Sequence, residues 1–392
     1  MDYISLAKEN YMHTYSTQEL CIDHADGVRV YGTDGKCYLD MVAGIAVNAL
    51  GYNNKAIKDR VEEVMKDGFF HVSNLYYNKW APQAASRLNR LSGGSEVFFA
   101  NSGAEANEAA LKAARKYGSR TGRSKVISFE HSFHGRTYGA ITLTGQEKYH
   151  KGFSPMVPDI VYAEYNNLES VEALADESVC AIILEPVQGE GGIIPAESGF
   201  MKGVRKIADE RDLILIFDCV QCGLGRTGRN FAFEHYGVKP DIMTLAKAIG
   251  CGLPLSATVA FEKAEGIFSP GDHASTFGGN ALSTALSLVL FDALEGGLSS
   301  EVEKKGEYFK KGLEEIKRKH PDKCSAARGL GLMLGLDLKV KPADVIARCR
   351  ERGLLVCSAG YTVLRFVPPL VIDYTDIDEA LGIVDEVLSE MR

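Results

Sequence analysis

The chain has 392 residues, of which 45% are hydrophobic and 24% charged, and its formal net charge is −8. That length buries a large core and exceeds one ordinary domain, while the negative charge argues against nucleic acid or an anionic membrane as main partner. No apolar run reaches membrane-span length, the opening Met1-Asp-Tyr-Ile-Ser-Leu-Ala lacks a signal-peptide pattern, and nine scattered cysteines suit a reducing compartment, so a cytoplasmic location is expected.

In chain order, residues 1–27 are polar with little periodicity, carrying His13 and Tyr15. Val28–Tyr31 and Lys36–Asp40 flank a turn ending in Asp34-Gly35, which predicts a β-hairpin. Ala43–Gly51 is a small-residue passage suited to close approach of a ligand or a second subunit. Helical spacing follows over 56–66 and 80–91. Glu96–Ala100 predicts a strand, and Asn101-Ser-Gly-Ala104 turns it into a helix whose first N–H groups form a ready anion site. An ordinary N-cap explains the same residues. The next strand, 125–129, leads into Glu130-His-Ser-Phe-His-Gly-Arg-Thr137, where the planar fork of Arg136 suits a carboxylate. Val179–Leu184 ends at Glu185 and opens into a glycine-rich loop with Gln188 and Glu190.

The apolar run Leu213–Phe217 stops at Asp218, and 29 positions later Lys247 follows a second apolar run. In open α/β sheets, ligands sit beyond the carboxyl ends of the strands. A lysine kept near an apolar core has a lowered pKa, which Schiff-base chemistry needs. Taken singly, a strand-end acid and a surface lysine carry no such meaning. Four strand ends delivering Arg136 with His134, Glu185 with Gln188, Asp218 with Gln221, and Lys247 make a cleft the better reading. The common physical demand is pyridoxal phosphate, which requires a lysine, an anion at the ring nitrogen and a phosphate cup. Cys219-x-x-Cys222 and His131-x-x-His134 have spacings that would also suit zinc, although metal ligation is not the expected role. Strand–helix alternation from about 96 to 262 predicts a mainly parallel sheet. A connecting helix near 281–295 leads to charged helix and short strands, a smaller α+β domain. The expected division is a large domain over 46–285 and a small one from 1–45 and 286–392.

Asn101-Ser-Gly-Ala-Glu-Ala-Asn107, Phe133-His-Gly-Arg136, Glu185-Pro-Val-Gln-Gly-Glu190, Asp218-x-x-Gln221, Gly225-Arg-Thr-Gly228, Lys247, Ser275-Thr-Phe-Gly-Gly-Asn280 and Arg365-Phe-Val-Pro-Pro369 occur in this order. Together they resemble the class III, ornithine-type aminotransferases among fold-type I pyridoxal-phosphate enzymes, over nearly the whole chain. The resemblance implies that Lys247 binds the cofactor covalently and moves the substrate proton. It implies that Asp218 pairs with the ring nitrogen, Gln221 reaches the 3-oxygen, Phe133 stacks on the ring, and Val220 lies against the cofactor. Gly103 and Ala104 would hold the phosphate, with Thr276 of a second subunit, so a homodimer sharing its active sites is implied. Arg136, Ser275 and Tyr15 would bind substrate, and Arg365 would bind 2-oxoglutarate, covered by Glu190 when the amine donor is present. The expected donor is N-acetylornithine, with ornithine, succinylornithine and 4-aminobutyrate as competitors. Ile45, where ornithine-specific members tend to have Tyr, favours a donor without a free α-amino group. Cys219 replaces the family's usual Glu, and Tyr52 its usual His.

Overall fold

The structure is a computed structural model describing residues 2–391. Its centre is a seven-stranded sheet in the order Glu96–Ala100, Ser256–Ala260, Ile242–Leu245, Ile214–Asp218, Val179–Leu184, Lys125–Phe129, Ile160–Ala163. Six strands run parallel, and Ser256–Ala260 opposes both of its neighbours. The sheet is therefore mainly parallel, as expected, with one reversed member. The reversal follows from chain length: the link from Leu245 to Ser256 holds only a short 3₁₀ turn, Lys247–Gly250, and a parallel return needs a crossover of a dozen or more residues.

The central strands are buried on both faces, and side chains alternate sides along them. Ile214 and Ile216 pack with Ala110, Ala113 and Ala114 of the helix Gly103–Ser119, whereas Leu215, Phe217 and Cys219 join the main core opposite. That alternation turns Asp218 towards the Gly103 helix and Cys219 away from it. The helix lies close because its buried face is largely alanine. Ala281–Glu295, almost wholly buried, and Leu298–Lys319 then carry the chain to its C-terminal part. No single helix among the described residues is long and apolar enough to cross a membrane.

The predicted hairpin forms as Arg29–Gly32 against Cys37–Asp40, with Gly35 in the left-handed region at φ 78°. It belongs to a four-stranded sheet with Ile22–Asp26 and with Leu354–Leu355, which pairs parallel to Cys37–Asp40. One residue later the chain changes sheets, and Cys357–Ala359 joins a second sheet with Val363–Phe366, Met333–Leu338 and Cys324–Leu330. Residues 354–359 thus form two short strands in different sheets. Residues 1–27, polar and with little periodicity, include the helix Tyr3–Asn10, capped by Asp2, and the strand Ile22–Asp26.

Candidate active site

Beyond the carboxyl ends of the parallel strands lies a cleft of about 550 Å³, lined by residues that include Gly103, Ala104, Phe133, Glu185, Glu190, Asp218, Val220, Gln221 and Lys247. Its floor is Asp218, buried at the end of its strand. Asp218 Oδ2 accepts from Asn107 Nδ2 at 2.7 Å and lies 2.7 Å from His134 Nδ1, while Oδ1 accepts from the Val220 amide at 3.0 Å. Asn107 donates also to the His134 carbonyl at 2.7 Å and accepts from Thr244 Oγ1 at 2.8 Å. Three elements of the sheet and its covering helix therefore fix this one carboxylate.

Lys247 stands across from it on the reversal after Leu245, with φ 53°. A non-glycine residue there is uncommon, and such strain gathers at functional sites. Among the described residues no hydrogen bond or ion pair engages its Nζ. Burial, opposed in part by nearby Glu190, lowers its pKa from 10.5, enlarging the neutral, nucleophilic fraction.

The helix start supplies a second feature. Ser102 is the N-cap, its Oγ accepting from the Glu105 amide, and Glu105 reaches back to the Asn101 amide at 3.0 Å. This reciprocal capping leaves the Gly103 and Ala104 amides, which have no intrahelical acceptor, open at the cleft. A Cβ on Gly103 would stand 2.8 Å from Val220 Cγ1, so only glycine keeps that wall in place.

Glu185 ties two loops together. Its Oε2 accepts from the Phe133 amide and its Oε1 from the Gly189 amide, both at 3.0 Å. Burial, aided by the Asp218 charge and offset by His134, raises its pKa from 4.5 to about 7. The Gly189 loop brings Glu190 onto Arg365, whose Nη1 donates to Glu190 Oε1 and, at 3.2 Å, to Gln221 Oε1. Arg365 Nε meets Cys357 Sγ at 3.3 Å. Burial pushes the Glu190 carboxyl up, but the Arg365 guanidinium outweighs it and the net shift is downward. Arg136 is different: it is exposed, has no ion pair among the described residues, and lies with Cζ 4.1 Å from the Tyr149 ring centroid and 5.6 Å from that of Phe133.

The structure thus gathers Lys247, Asp218, Val220, Gln221, Gly103, Ala104, Phe133, Glu190 and Arg365 around one cleft, with Arg136 beside Phe133. Ser275 stands at its edge, where its Oγ accepts from Asn101 Nδ2 at 3.0 Å. Thr276 is exposed on the same loop, and Tyr15 is 85% exposed on the N-terminal segment; neither lines the cleft of its own chain. Ile45 sits in a left-handed run, Ala43–Ala46, two residues before the cleft-lining Val47. Tyr52 is removed from the cleft and donates to Asp40 Oδ2 at 2.6 Å. The two pairs with zinc-like spacing do not meet: Cys219 and Cys222 lie in the main core, His134 is bound to Asp218, and His131 is exposed. Among the described residues no group of three or more potential metal ligands converges. Sequence reasoning assigned no role to Asn107 or Tyr149. Asn107 was detectable, because four residues after Gly103 it falls on the same helix face.

Topology and cleft together define the class: an aminotransferase of fold type I. The chain belongs to the class-III aminotransferases, whose family model matches residues 11–388. It is 48% identical to the acetylornithine aminotransferase of Caldanaerobacter subterraneus subsp. tengcongensis, covering 99% of this chain and 100% of that protein. It is 41% identical to the acetylornithine aminotransferase of Methanocaldococcus jannaschii, covering 100% and 99%. Among solved structures, the Toxoplasma gondii ornithine aminotransferase crystallised with oxidised glutathione, which has partial PLP occupancy at its active site, matches with a TM-score of 0.93. The identity there is 28%, over 98% of this chain and 93% of that one.

Proposed function

We propose that this enzyme moves the δ-amino group of N-acetyl-L-ornithine to 2-oxoglutarate, giving N-acetyl-L-glutamate 5-semialdehyde and L-glutamate, a step of arginine biosynthesis. The observation carrying the reading is the unequal treatment of two arginines. Arg136 is held without a carboxylate, while buried Arg365 is covered by Glu190. One guanidinium is thus always available to a carboxylate, and the other only when Glu190 moves. A single cleft can then take a donor with one carboxylate and an acceptor with two. The full-length likeness to acetylornithine aminotransferases supports the same substrate.

The residues present fit pyridoxal phosphate. The Lys247 amine, without a partner among the described residues, suits its aldehyde, the open Gly103 and Ala104 amides its phosphate, Asp218 its ring nitrogen, Gln221 its 3-oxygen, and Phe133 and Val220 its two faces. When bound, the cofactor supplies an electron-accepting ring that stabilises negative charge at the substrate carbon. Lys247 Nζ moves the proton at the amine-bearing carbon, its neutral form favoured by burial. Asp218 keeps the ring nitrogen protonated by its charge. Arg136 orients the α-carboxylate of the donor and then the distal carboxylate of 2-oxoglutarate; Ser275 and Tyr15 assist binding. Arg365 takes the α-carboxylate of 2-oxoglutarate once Glu190 withdraws.

We place Thr276 at the phosphate of a second subunit, making the enzyme a homodimer. Its exposure, and that of the nearby Leu75, Tyr76, Tyr77 and Phe277, support a face covered by another chain. We divide the chain into a large domain, 46–285, and a small one from 1–45 and 286–392, which the pairing of Leu354–Leu355 with Cys37–Asp40 supports; a cytoplasmic location fits this role. The test is a panel of amines (N-acetylornithine, succinylornithine, ornithine, 4-aminobutyrate) with 2-oxoglutarate, following the semialdehyde. The specificity constant is expected to be highest for N-acetylornithine, and a higher value for free ornithine would sink the assignment.

A further inference from the structure

Arg136 makes no hydrogen bond and no ion pair among the described residues, yet its guanidinium lies over two aromatic rings, 5.6 Å from the Phe133 centroid and closer to that of Tyr149. Its Cζ is 4.1 Å from the centroid of Tyr149. A cation over a ring face is attracted by the ring quadrupole. That attraction leaves the N–H groups around the guanidinium edge free, whereas a carboxylate partner would occupy them and have to be displaced by substrate. We propose that Tyr149 is a positioning residue for substrate carboxylate binding, its ring acting as the uncharged seat of Arg136; this rests on the reading of Arg136 above.

The seat is itself built. Tyr149 ends the 3₁₀ turn Glu147–Tyr149 and is half-buried. The Phe133 ring meets it nearly edge-on, with centroids 5.7 Å apart and planes at 76°. His150, the next residue, fixes the turn through its Nε2, 2.9 Å from the Ile141 carbonyl. The Arg136 backbone is fixed from the other side. Gly135 is pressed against the Gly103 helix, where a Cβ would stand 2.7 Å from Ala104 Cβ. Glu108 accepts from Thr137 Oγ1 at 2.6 Å and from the Gly139 amide at 2.8 Å. Backbone and ring are both located, so the remaining freedom of the Arg136 side chain is settled by the ring face. The Tyr149 hydroxyl has no hydrogen-bond partner among the described residues, so the ring and not the phenol carries the effect. A second cation, Lys148 Nζ, lies 4.9 Å from the same ring and 4.6 Å from that of Tyr361.

The test compares Tyr149→Phe, Tyr149→Leu and Arg136→Ala in the PLP-loaded enzyme, reading KM for both substrates, kcat and the visible spectrum. Tyr149→Phe is expected to stay within about twofold of wild type. Tyr149→Leu is expected to raise both KM values about two- to fivefold, the size of an exposed cation–π contact, with kcat and spectrum nearly unchanged. Should Tyr149→Leu fail to fold, mono- to trifluorinated phenylalanines at position 149 keep the shape and withdraw density from the ring face. KM rising with each fluorine supports the proposal; a flat series overturns it. Unchanged KM in Tyr149→Leu while Arg136→Ala raises it overturns the seat alone. Unchanged KM in Arg136→Ala overturns the reading of Arg136 and the proposal with it.

Discussion

Glu190 and Arg365 form an ion pair in which only the carboxylate can leave. Arg365 is buried and held also by Gln221 and Cys357, whereas Glu190 is a quarter exposed on a glycine-rich loop. Glu190→Gln removes the competing charge and keeps the shape. KM for 2-oxoglutarate is expected to fall, and each tenfold would correspond to about 1.4 kcal/mol. Removing one partner of a buried pair costs about 3–5 kcal/mol when the remaining charge is stranded; Gln221 and Cys357 should hold the loss, measured by urea unfolding, below that. An unchanged or higher KM would refute Glu190 as a cover.

Lys247 combines a desolvated amine with a strained backbone, so catalysis and stability oppose one another at this residue. Lys247→Ala is expected to abolish activity and the visible absorption that depends on the lysine's link to the cofactor. The thermal midpoint of its cofactor-free form should equal or exceed that of wild type, because a buried amine without a partner has been removed. A depressed lysine pKa favours the neutral form, a contribution complete above the unfolded value of 10.5 and lost as pH falls through the folded one. Capture of pyridoxal phosphate by the apoenzyme, followed by absorbance against pH, should accordingly show a midpoint below 10.5.

Glu185 accepts one backbone amide at each of its two oxygens, and a glutamine has an acceptor at only one of those positions. Glu185→Gln sets an NH₂ against the other N–H and should cost about 1–3 kcal/mol in denaturant unfolding. The wild-type pKa is raised from 4.5 to about 7, so its contribution to stability is complete below pH 4.5 and lost as pH rises through about 7. Subtracting the variant's stability curve from that of the wild-type apoenzyme should isolate a slope confined to this window; parallel curves would contradict it.

Gly103→Ala pushes a methyl group to within 2.8 Å of Val220 Cγ1. Equilibrium dialysis is expected to show pyridoxal phosphate binding weakened about tenfold, or about 1.4 kcal/mol. Adding Val220→Ala should recover most of the loss by opening the space. No recovery would mean that the helix start itself had moved.

The proposed sharing of sites between two subunits predicts complementation. Lys247→Ala and Thr276→Ala chains, mixed under conditions that exchange subunits, form hybrids with one site bearing both substitutions and one bearing neither. Activity above the sum of the separate preparations is expected. Absence of any gain, with exchange verified by mass, would place Thr276 outside the partner's site.

Much of this site was legible because buried parallel strands announce themselves as apolar runs, and their ends as the first polar residue. Glu185 and Asp218 follow that rule, whereas the run before Lys247 is interrupted by Thr244, whose hydroxyl is spent on Asn107. Ile160–Ala163 was missed because it is a half-buried edge strand of four residues, too short for its composition to stand out. Ile22–Asp26 was missed because Asp and His occupy positions where an alternating apolar pattern would be expected. The seating of Arg136 was invisible for another reason: Tyr149 lies 13 positions away along the chain, and only the fold brings the two together.

The joining of Leu354–Leu355 to Cys37–Asp40 bears on synthesis. All seven strands of the central sheet lie within residues 96–260, so a growing chain has synthesised Asp218 and Lys247, with every strand of that sheet, before it reaches Arg365. Throughout that interval the Cys37–Asp40 edge waits unpaired, the kind of exposed strand that invites association with other chains. The hairpin is made early and its sheet is completed late, so the chain itself supplies the cover for that edge only near the end of its synthesis.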